Sequence, residues 1–184
     1  MSKKRFIASI FSPIKCLKYY SSFYFHRLFN GKNDARYCMV SLSERHYKVI
    51  TEYRVYQSFI NSGQPVYVLP AECSITNLSQ AVFSSLAASH VVIRRKTEAG
   101  ADYRRLIKEK SLKRWYGASA FCYVTLYPVT KQIKIYALRQ TDGSRGLDKV
   151  ENSTILIDYI VGKEDYVSEQ IVSLLNKELS QRKQ

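Results

Sequence analysis

The chain has 184 residues, of which 29 are Lys or Arg and 15 are Asp or Glu, so its formal net charge is +14. Its length is typical of one domain. A hydrophobic fraction of 46% with a charged fraction of 24% argues against a disordered or low-complexity protein. No run of 18 uncharged apolar residues occurs, which argues against a membrane-spanning helix.

The four cysteines, Cys16, Cys38, Cys73 and Cys122, lie far apart and form no C-x-x-C pair. That spacing is typical neither of a disulfide scaffold nor of a zinc site. It indicates reduced thiols and therefore predicts a cytoplasmic protein.

The N-terminal segment, residues 1–33, contains seven Lys or Arg and no acidic residue. Its apolar residues recur at helical spacing, which predicts a basic, aromatic helical arm that precedes a single domain over residues 34–184. The composition fits an arm packed on the domain or on a partner, a helix on a membrane surface and, more loosely, a transit peptide. Its apolar run is short for a signal peptide. The residues expected to dock on a membrane or partner are Phe6, Ile7, Ile10, Phe11, Lys15 and Lys18.

The next elements are predicted to alternate between strands and helices. Residues 37–40 are predicted as a strand, and the S-x-x-E pattern at residues 41–44 predicts a helix that ends at Gly63. One face of that helix would carry Val49, Tyr53, Tyr56 and Ile60. Residues 65–69 are predicted as a strand, and residues 76–88 as a helix with small surface residues.

Residues 90–93 fit either an extension of the preceding helix or a short strand. Residues 98–116 are predicted as an amphipathic helix with a basic outer face, ended by Gly117. The inward side chains of that helix would be Tyr103, Leu106, Ile107 and Trp115.

The pattern then changes to a period of two, which predicts a β-hairpin over residues 120–138 with a turn at 128–130. A polar loop over 140–153, a β-branched strand over 154–161 and a helix over 165–181 follow. This order predicts an α+β fold: a mainly antiparallel sheet with a β-hairpin, packed by three to four helices.

Motifs for chemistry are sparse in this sequence. The histidines His26, His46 and His90 are isolated, and neither a G-x-S-x-G elbow nor a phosphate-binding glycine loop occurs. Gln132-Ile133-Lys134 partly matches the acid-x-Lys step of metal-dependent nucleases, but Gln132 replaces the acid. We therefore predict no catalytic residue, no metal and no cofactor. A nuclease that uses Lys134 with an unidentified acid remains the enzymatic alternative.

The most informative feature is a basic and aromatic surface. Lys and Arg cluster over residues 94–114 and recur at 131–145, while no acid occurs between residues 110 and 141. Such residues neutralise phosphates, and an aromatic ring can stack on a base if it is exposed. The predicted nucleic-acid-binding residues are Arg94, Arg95, Lys96, Arg104, Arg105, Lys108, Lys113, Arg114, Trp115, Tyr116, Lys131 and Lys134.

Two non-enzymatic functions follow from this distribution of charge. The first is a small binding protein for a polyanion, DNA or RNA, held through its phosphate backbone with little reading of sequence. The alternative is a peripheral interaction or assembly protein that docks on a membrane surface, or on an acidic protein partner, through residues 1–33. The prediction for localisation is accordingly cytoplasmic, with peripheral membrane attachment under the alternative.

Overall fold

The fold is described by a computed structural model, which covers residues 35–55, 59–89, 91–92, 105–140 and 146–182. The predicted N-terminal arm, with its six docking residues, lies outside the described residues.

The domain is built on one mixed but largely antiparallel sheet. Its strand order is β3-β2-β1-β5-β6, and β7 and β8 both pair with β6, on the side away from β5. The two-residue β4 pairs with β2 in parallel, and the other pairings are antiparallel. The strands are β1 (Arg36–Leu42), β2 (His46–Val55), β3 (Phe59–Pro70), β4 (Val91–Val92), β5 (Ala120–Tyr127), β6 (Gln132–Arg139), β7 (Asp148–Lys149) and β8 (Ile155–Asp158).

Three helices are present within the described residues: α1 (Ile75–Ala88), α2 (Leu112–Ala118) and α3 (Glu164–Gln181). Serine hydroxyls cap two of them, because Ser74 accepts from the Asn77 backbone N–H and Ser111 from that of Arg114. None of the described helices combines the length and the apolar composition that crossing a membrane needs.

The helices and the mainly antiparallel sheet together confirm the predicted α+β fold.

The two faces of the sheet are covered differently. On the first, which we call the helix face, α1 and α3 bury residues such as Val40 and Ile135. On the second, the α2 face, residues 105–118 cover a smaller cluster that includes Ile50 and Phe121. The period of two in the predicted hairpin arises here, since alternate residues of β5 and β6 enter the two clusters. The hairpin itself is confirmed, with Tyr127 opposite Gln132 at its turn.

The helix predicted from the 41–44 pattern to Gly63 is wrong, because this region forms β2 and the start of β3. Lys48, Ile50 and Glu52 are buried on one face of β2, and the alternating residues are buried on the other. Pairing with β1 and β3 satisfies the backbone of β2, and the clusters on the two sides of the sheet bury both of its faces; together these outweigh the helical spacing of a few apolar residues. Gly63 ends no helix: a Cβ there would lie 2.5 Å from the Tyr53 ring, so the close strand packing requires glycine.

The helix predicted over residues 98–116 is only partly correct. Residues 98–104 lie outside the described residues, and the helical residues 105–106 are followed by a turn in which Lys108 has a φ of 56°. Ile107 and Trp115 are buried as predicted, but Leu106 is exposed. The Ser111 hydroxyl caps a new helix, α2. This local hydrogen bond favours the start of a second helix at this point over continuation of the first one.

An ion pair fixes this segment to the sheet. The Lys48 ammonium, buried on the α2 face, donates to the Glu109 carboxylate and also lies 5.6 Å from the centre of the Trp115 ring. A buried charge needs such a partner, so the pair holds residues 107–115 over the sheet. Residues 90–93, which fitted a helix or a strand, contribute β4, and the predicted loop at 140–153 contains β7.

Candidate protein-binding surface

The predicted basic residues are only partly brought together. Arg94, Arg95, Lys96 and Arg104 lie outside the described residues. The side chains of four others are exposed in the turn before α2 and on α2 itself: Arg105, Lys108, Lys113 and Arg114. We call these four residues the basic segment. Lys110 is also exposed, and the one acid in this stretch, Glu109, has its carboxylate bound by Lys48. The basic segment is therefore a locally cationic surface.

The aromatic residues of that segment belong to the core. Trp115 is 1% exposed, and its ring packs edge-on against Phe121 with centroids 5.0 Å apart. Tyr116 is half-buried and contacts the same two rings. The Trp115 ring thus does not meet the condition of exposure under which it was expected to stack on a base.

Lys131 and Lys134 lie elsewhere on the sheet. Lys131 is exposed in the β5–β6 turn, and the Lys134 ammonium lies 5.7 Å from the centre of the Tyr136 ring. Lys134 pairs with Thr125, four residues along β5 from the Phe121 that contacts α2. At roughly 3.3 Å per residue, that separation is about 13 Å. The structure therefore does not join these two lysines to the basic segment.

A cluster of tyrosines around a buried carboxyl group occupies the same face. Tyr37, Tyr123 and Tyr136 lie on three neighbouring strands, with ring centroids 6.0 Å apart for the first pair and 5.4 Å for the second. Glu52 is 7% exposed and accepts from the Ser62 hydroxyl at 3.3 Å. The abundance of tyrosine was apparent in the sequence, but its gathering around Glu52 depended on the unexpected strand β2.

The titration of this cluster is perturbed. Burial raises the pKa of Glu52 to about 7, although the Tyr123 and Ser62 hydroxyls partly oppose the rise. Burial and the Glu52 carboxylate raise the pKa of Tyr123, and they raise that of Tyr136 to about 12. Within the described residues, the Tyr123 hydroxyl makes no contact at full hydrogen-bond geometry, although it is close enough to Glu52 to influence its pKa. The Glu52 carboxyl group is therefore mostly protonated only below about pH 7.

A second surface carries exposed apolar side chains. Six large hydrophobic side chains are exposed among the described residues. One of them, Leu106, lies outside this surface. The others, which we call the edge patch, are Val129 (64% exposed), Leu156 (65%), Ile160 (54%), Val161 (82%) and Tyr166 (50%).

The members of the edge patch come from three parts of the chain that meet at one end of the sheet. Val129 is in the β5–β6 turn, and Leu156 is on β8. Ile160 and Val161 are in the loop that leads to α3, where Tyr166 is in the first turn. The Tyr159 backbone N–H donates to the Lys131 carbonyl at 2.7 Å, which ties that loop to the hairpin turn.

Buried and polar contacts hold this end of the molecule in place. The Tyr159 ring stacks on Phe83 of α1 with centroids 5.5 Å apart, and its hydroxyl donates to Glu164 at 3.0 Å. The Thr76 hydroxyl of α1 donates to Asp165 at 2.9 Å. These contacts therefore hold the loop and the helix start that carry part of the edge patch in fixed positions. Sequence reasoning missed it because an apolar residue in a strand or before a helix is normally assigned to the core.

A groove of about 570 Å³ opens at the other end of the sheet, between α1, α3 and the β1–β2 turn. Leu78, Val172 and Leu179 line it, with Glu44 among its polar residues. The groove is lined by the middle and later turns of α3, whereas Tyr166 lies in its first turn.

The described cysteines and histidine form no reactive site. Cys38 and Cys122 are fully buried, and burial raises the pKa of both thiols, so both serve as small core residues. Cys73 is half-buried, and the described His46 is exposed. Within the described ranges, no three His, Cys, Asp or Glu side chains approach closely enough to hold a metal ion.

Neither a protein-family model nor a curated protein matches the sequence of this chain. Its fold, in contrast, resembles two solved structures. One is a protein of unknown function from Neisseria meningitidis, with a TM-score of 0.62 and 12% identity over 79% of this chain and 96% of that one. The other is a chain of the CdiA-CT/CdiI toxin and immunity complex from Yersinia pseudotuberculosis, with a TM-score of 0.58 and 13% identity over 78% and 97%. At identities this low, the structural similarity shows a shared fold.

Proposed function

We propose that this protein functions by binding a partner protein through the edge patch. The observation that carries the proposal is the exposure of five large apolar side chains near one end of the sheet: Val129, Ile160 and Val161 in the turn and loop there, Leu156 on the α2 face, and Tyr166 on α3. Several large apolar side chains exposed at one end of a fold are uncommon on a protein that acts alone, and such surfaces mark interaction sites. The contacts that hold the loop before α3 in place also favour binding, because a surface that is already ordered loses little conformational entropy on binding.

The similarity in fold agrees with this proposal. One of the two similar structures is a chain of a complex in which a toxin and an immunity protein bind each other. A role in such a protein–protein pair would need a stable surface of the kind that β8 and the start of α3 provide. Docking by residues 1–33 on a membrane or partner remains a separate prediction.

The proposal predicts that the amount of partner protein bound depends on the exposed apolar side chains of the edge patch. In cells that naturally contain the protein, the full chain carrying Ile160→Ser and Val161→Ser should retain at least about tenfold less co-purified partner than the wild type. Burying two such side chains contributes about 1.5–3 kcal/mol each, and about 1.4 kcal/mol is a factor of ten in affinity. Quantitative mass spectrometry of the purified complexes measures this.

The matched control is Leu106→Ser, which removes an exposed apolar side chain outside the edge patch. It should leave the co-purified protein unchanged. Equal losses in both variants, or no loss in either, would contradict a function based on the edge patch.

The second candidate function is binding of a polyanion, including nucleic acid, and the exposed basic segment favours it. Lys108, Lys113 and Arg114 are each exposed within seven residues of one another, and each could neutralise one phosphate. Fluorescence anisotropy with labelled DNA and RNA across a salt series tests this function. Charge reversal at all three should flatten the slope of log affinity against log salt by about three, since each phosphate contact contributes roughly 0.9. Lys177→Glu on α3 is the control, and an unchanged slope in the triple variant would exclude this candidate.

The nuclease alternative has less structural support. Along the register of β6 and β8, the acid diagonal to Lys134 is Asp158, a single exposed carboxylate. Divalent metals prefer several oxygen ligands, and one carboxylate beside Lys134 does not supply them.

A further inference from the structure

We infer that the bound partner protein presents an acidic side chain to the α2 face, at a site where Lys134 and Lys149 lie beside the ring of Tyr136. This inference rests on the function proposed above and adds the chemistry of the partner. The Lys134 and Lys149 ammonium groups lie 5.7 and 5.4 Å from the centre of the Tyr136 ring. We call these three residues the lysine–tyrosine site.

The register of the sheet explains why two lysines meet at one ring. Lys134 and Tyr136 are two residues apart on β6 and therefore lie on the same face of the sheet. Lys149 of β7 is paired with Leu138, the next residue of β6 on that face. Tyr136 thus lies between the two lysines along β6, with its side chain half-buried.

The positive charge of this site is not balanced by the part of the chain that the structure describes. Neither ammonium group lies within ion-pair distance of a carboxylate in the described ranges. A tyrosine ring at the surface attracts a cation only weakly, and two like charges near one ring repel each other. An acidic group bound beside the ring would attract both lysines and offset that repulsion.

An exposed apolar side chain beside the site favours a protein as the source of the acidic group. Leu156 of β8 is paired with Lys134, so the two side chains are neighbours on the α2 face. Leu156 is 65% exposed. A phosphate group would neutralise Lys134 and leave Leu156 in water, whereas a protein can cover Leu156 and pair Lys134 with Asp or Glu.

The charge of the whole chain favours an acidic protein as well. A net charge of +14 attracts acidic partners and raises their rate of association. Two copies of this chain repel each other for the same reason, so a second copy is a poor source of the acidic group.

One acidic residue marks the boundary of the site. Asp158 is paired with Gln132, so it lies on the α2 face and diagonal to Lys134. Its carboxylate is exposed and repels another acid. Because the Asp158 pair lies on the side of Lys134 away from Tyr136, we place the partner's acidic group toward Tyr136 and Lys149.

The other acids of this stretch belong to a different surface. Glu164, Asp165 and Glu169 lie on α3, which covers the helix face of the sheet. Their charges therefore do not border the lysine–tyrosine site.

The test links carboxylates directly to the lysines that they contact. The full chain is purified with its bound protein from cells that naturally contain it, and nuclease removes nucleic acid. A water-soluble carbodiimide then activates carboxylates, and a lysine amine in contact with one forms an amide bond with loss of water. Mass spectrometry locates the linked residues. Lys177, an exposed lysine of α3, is the internal control.

We expect amide links from Lys134 or Lys149 to Asp or Glu of the bound protein, and few such links from Lys177. Lys134→Arg with Lys149→Arg should remove the links and keep the bound protein, because arginine retains the charge but forms no such amide. Lys134→Glu with Lys149→Glu should reduce the bound protein about tenfold, and Asp158→Asn should increase it about twofold.

Links that are equally frequent at Lys177, or capture that ignores charge reversal at both lysines, would overturn this inference. The proposed function would remain intact if Ile160→Ser with Val161→Ser still removed the bound protein. Unchanged capture in both sets of variants would overturn both. If charge reversal released nucleic acid from untreated preparations and no amide link to a protein formed, the lysines would bind a polyanion, which also overturns the inference.

Discussion

Replacing Trp115 with alanine should lower the free energy of unfolding by about 3–5 kcal/mol, the usual cost of removing a large buried aromatic side chain. The Trp115 ring is 1% exposed and contacts Phe121, Tyr116 and the Lys48 ammonium. Its removal leaves a cavity on the α2 face and takes a neighbour away from the buried Lys48–Glu109 pair. Urea denaturation followed by fluorescence of the tyrosines and by circular dichroism measures the change.

Leu106→Ala is the control for this prediction, because Leu106 is an exposed apolar residue of the same segment. Its effect should stay within about 0.5 kcal/mol. If Trp115→Ala left stability unchanged and instead weakened binding to nucleic acid, the ring would be a stacking surface and the description of the α2 face would be wrong.

The second large effect concerns Glu52 and pH. Its carboxyl group has a pKa of about 7 in the fold, against an ordinary value of 4.5. The folded state therefore holds a proton that the unfolded state has released between these values. Stability is fully present below about pH 4.5 and is lost as pH rises through about 7. At roughly 1.4 kcal/mol per pH unit, the loss amounts to about 3 kcal/mol.

Glu52→Gln should remove this dependence, because glutamine is neutral at every pH. At pH 8 the variant should be more stable than the wild type by about 3 kcal/mol, while at pH 4 the two should be nearly equal. The difference between their unfolding free energies cancels the titration of other groups. Denaturation of both proteins at several pH values measures it, and parallel curves from pH 4 to 9 would show that Glu52 is ionised in the fold.

The parts of the fold that sequence reasoning predicted have strong local signals. In the β-hairpin, residues such as Cys122 and Val124 alternate with Tyr123 and Thr125, and a turn separates two such runs. Helix α3 repeats apolar residues at helical spacing after two acids at its start. These patterns persist because the local preference and the final burial agree.

The error at β2 has the opposite cause. Val49 and Tyr53 are spaced as in a helix, yet they lie on a strand buried on both sides. A strand with two buried faces loses the simple alternation of apolar and polar residues, since Ile50 and Lys48 must also face a covered surface. That both faces of β2 are covered becomes apparent only from the fold, in which a cluster of buried residues lies on each side of the sheet.

The candidate site was hidden for a related reason. Overall charge drew attention to the basic residues, whereas four of the five edge-patch residues belong to a locally acidic stretch, residues 156–169. Leu156 and Val161 have ordinary apolar surroundings in the sequence, and their exposure follows from the position of β8 at the rim of the sheet. A sequence shows which residues are apolar, but the fold decides which of them remain uncovered.

The most direct test of this account is hydrogen–deuterium exchange on the full chain, alone and in complex with the protein that it captures. We expect the complex to slow exchange in the β5–β6 turn and over residues 156–166, because a partner that covers the edge patch excludes water from these amides. Exchange in α2 should be unchanged. Slower exchange confined to residues 105–118, with residues 156–166 unaffected, would contradict the edge patch as the binding surface.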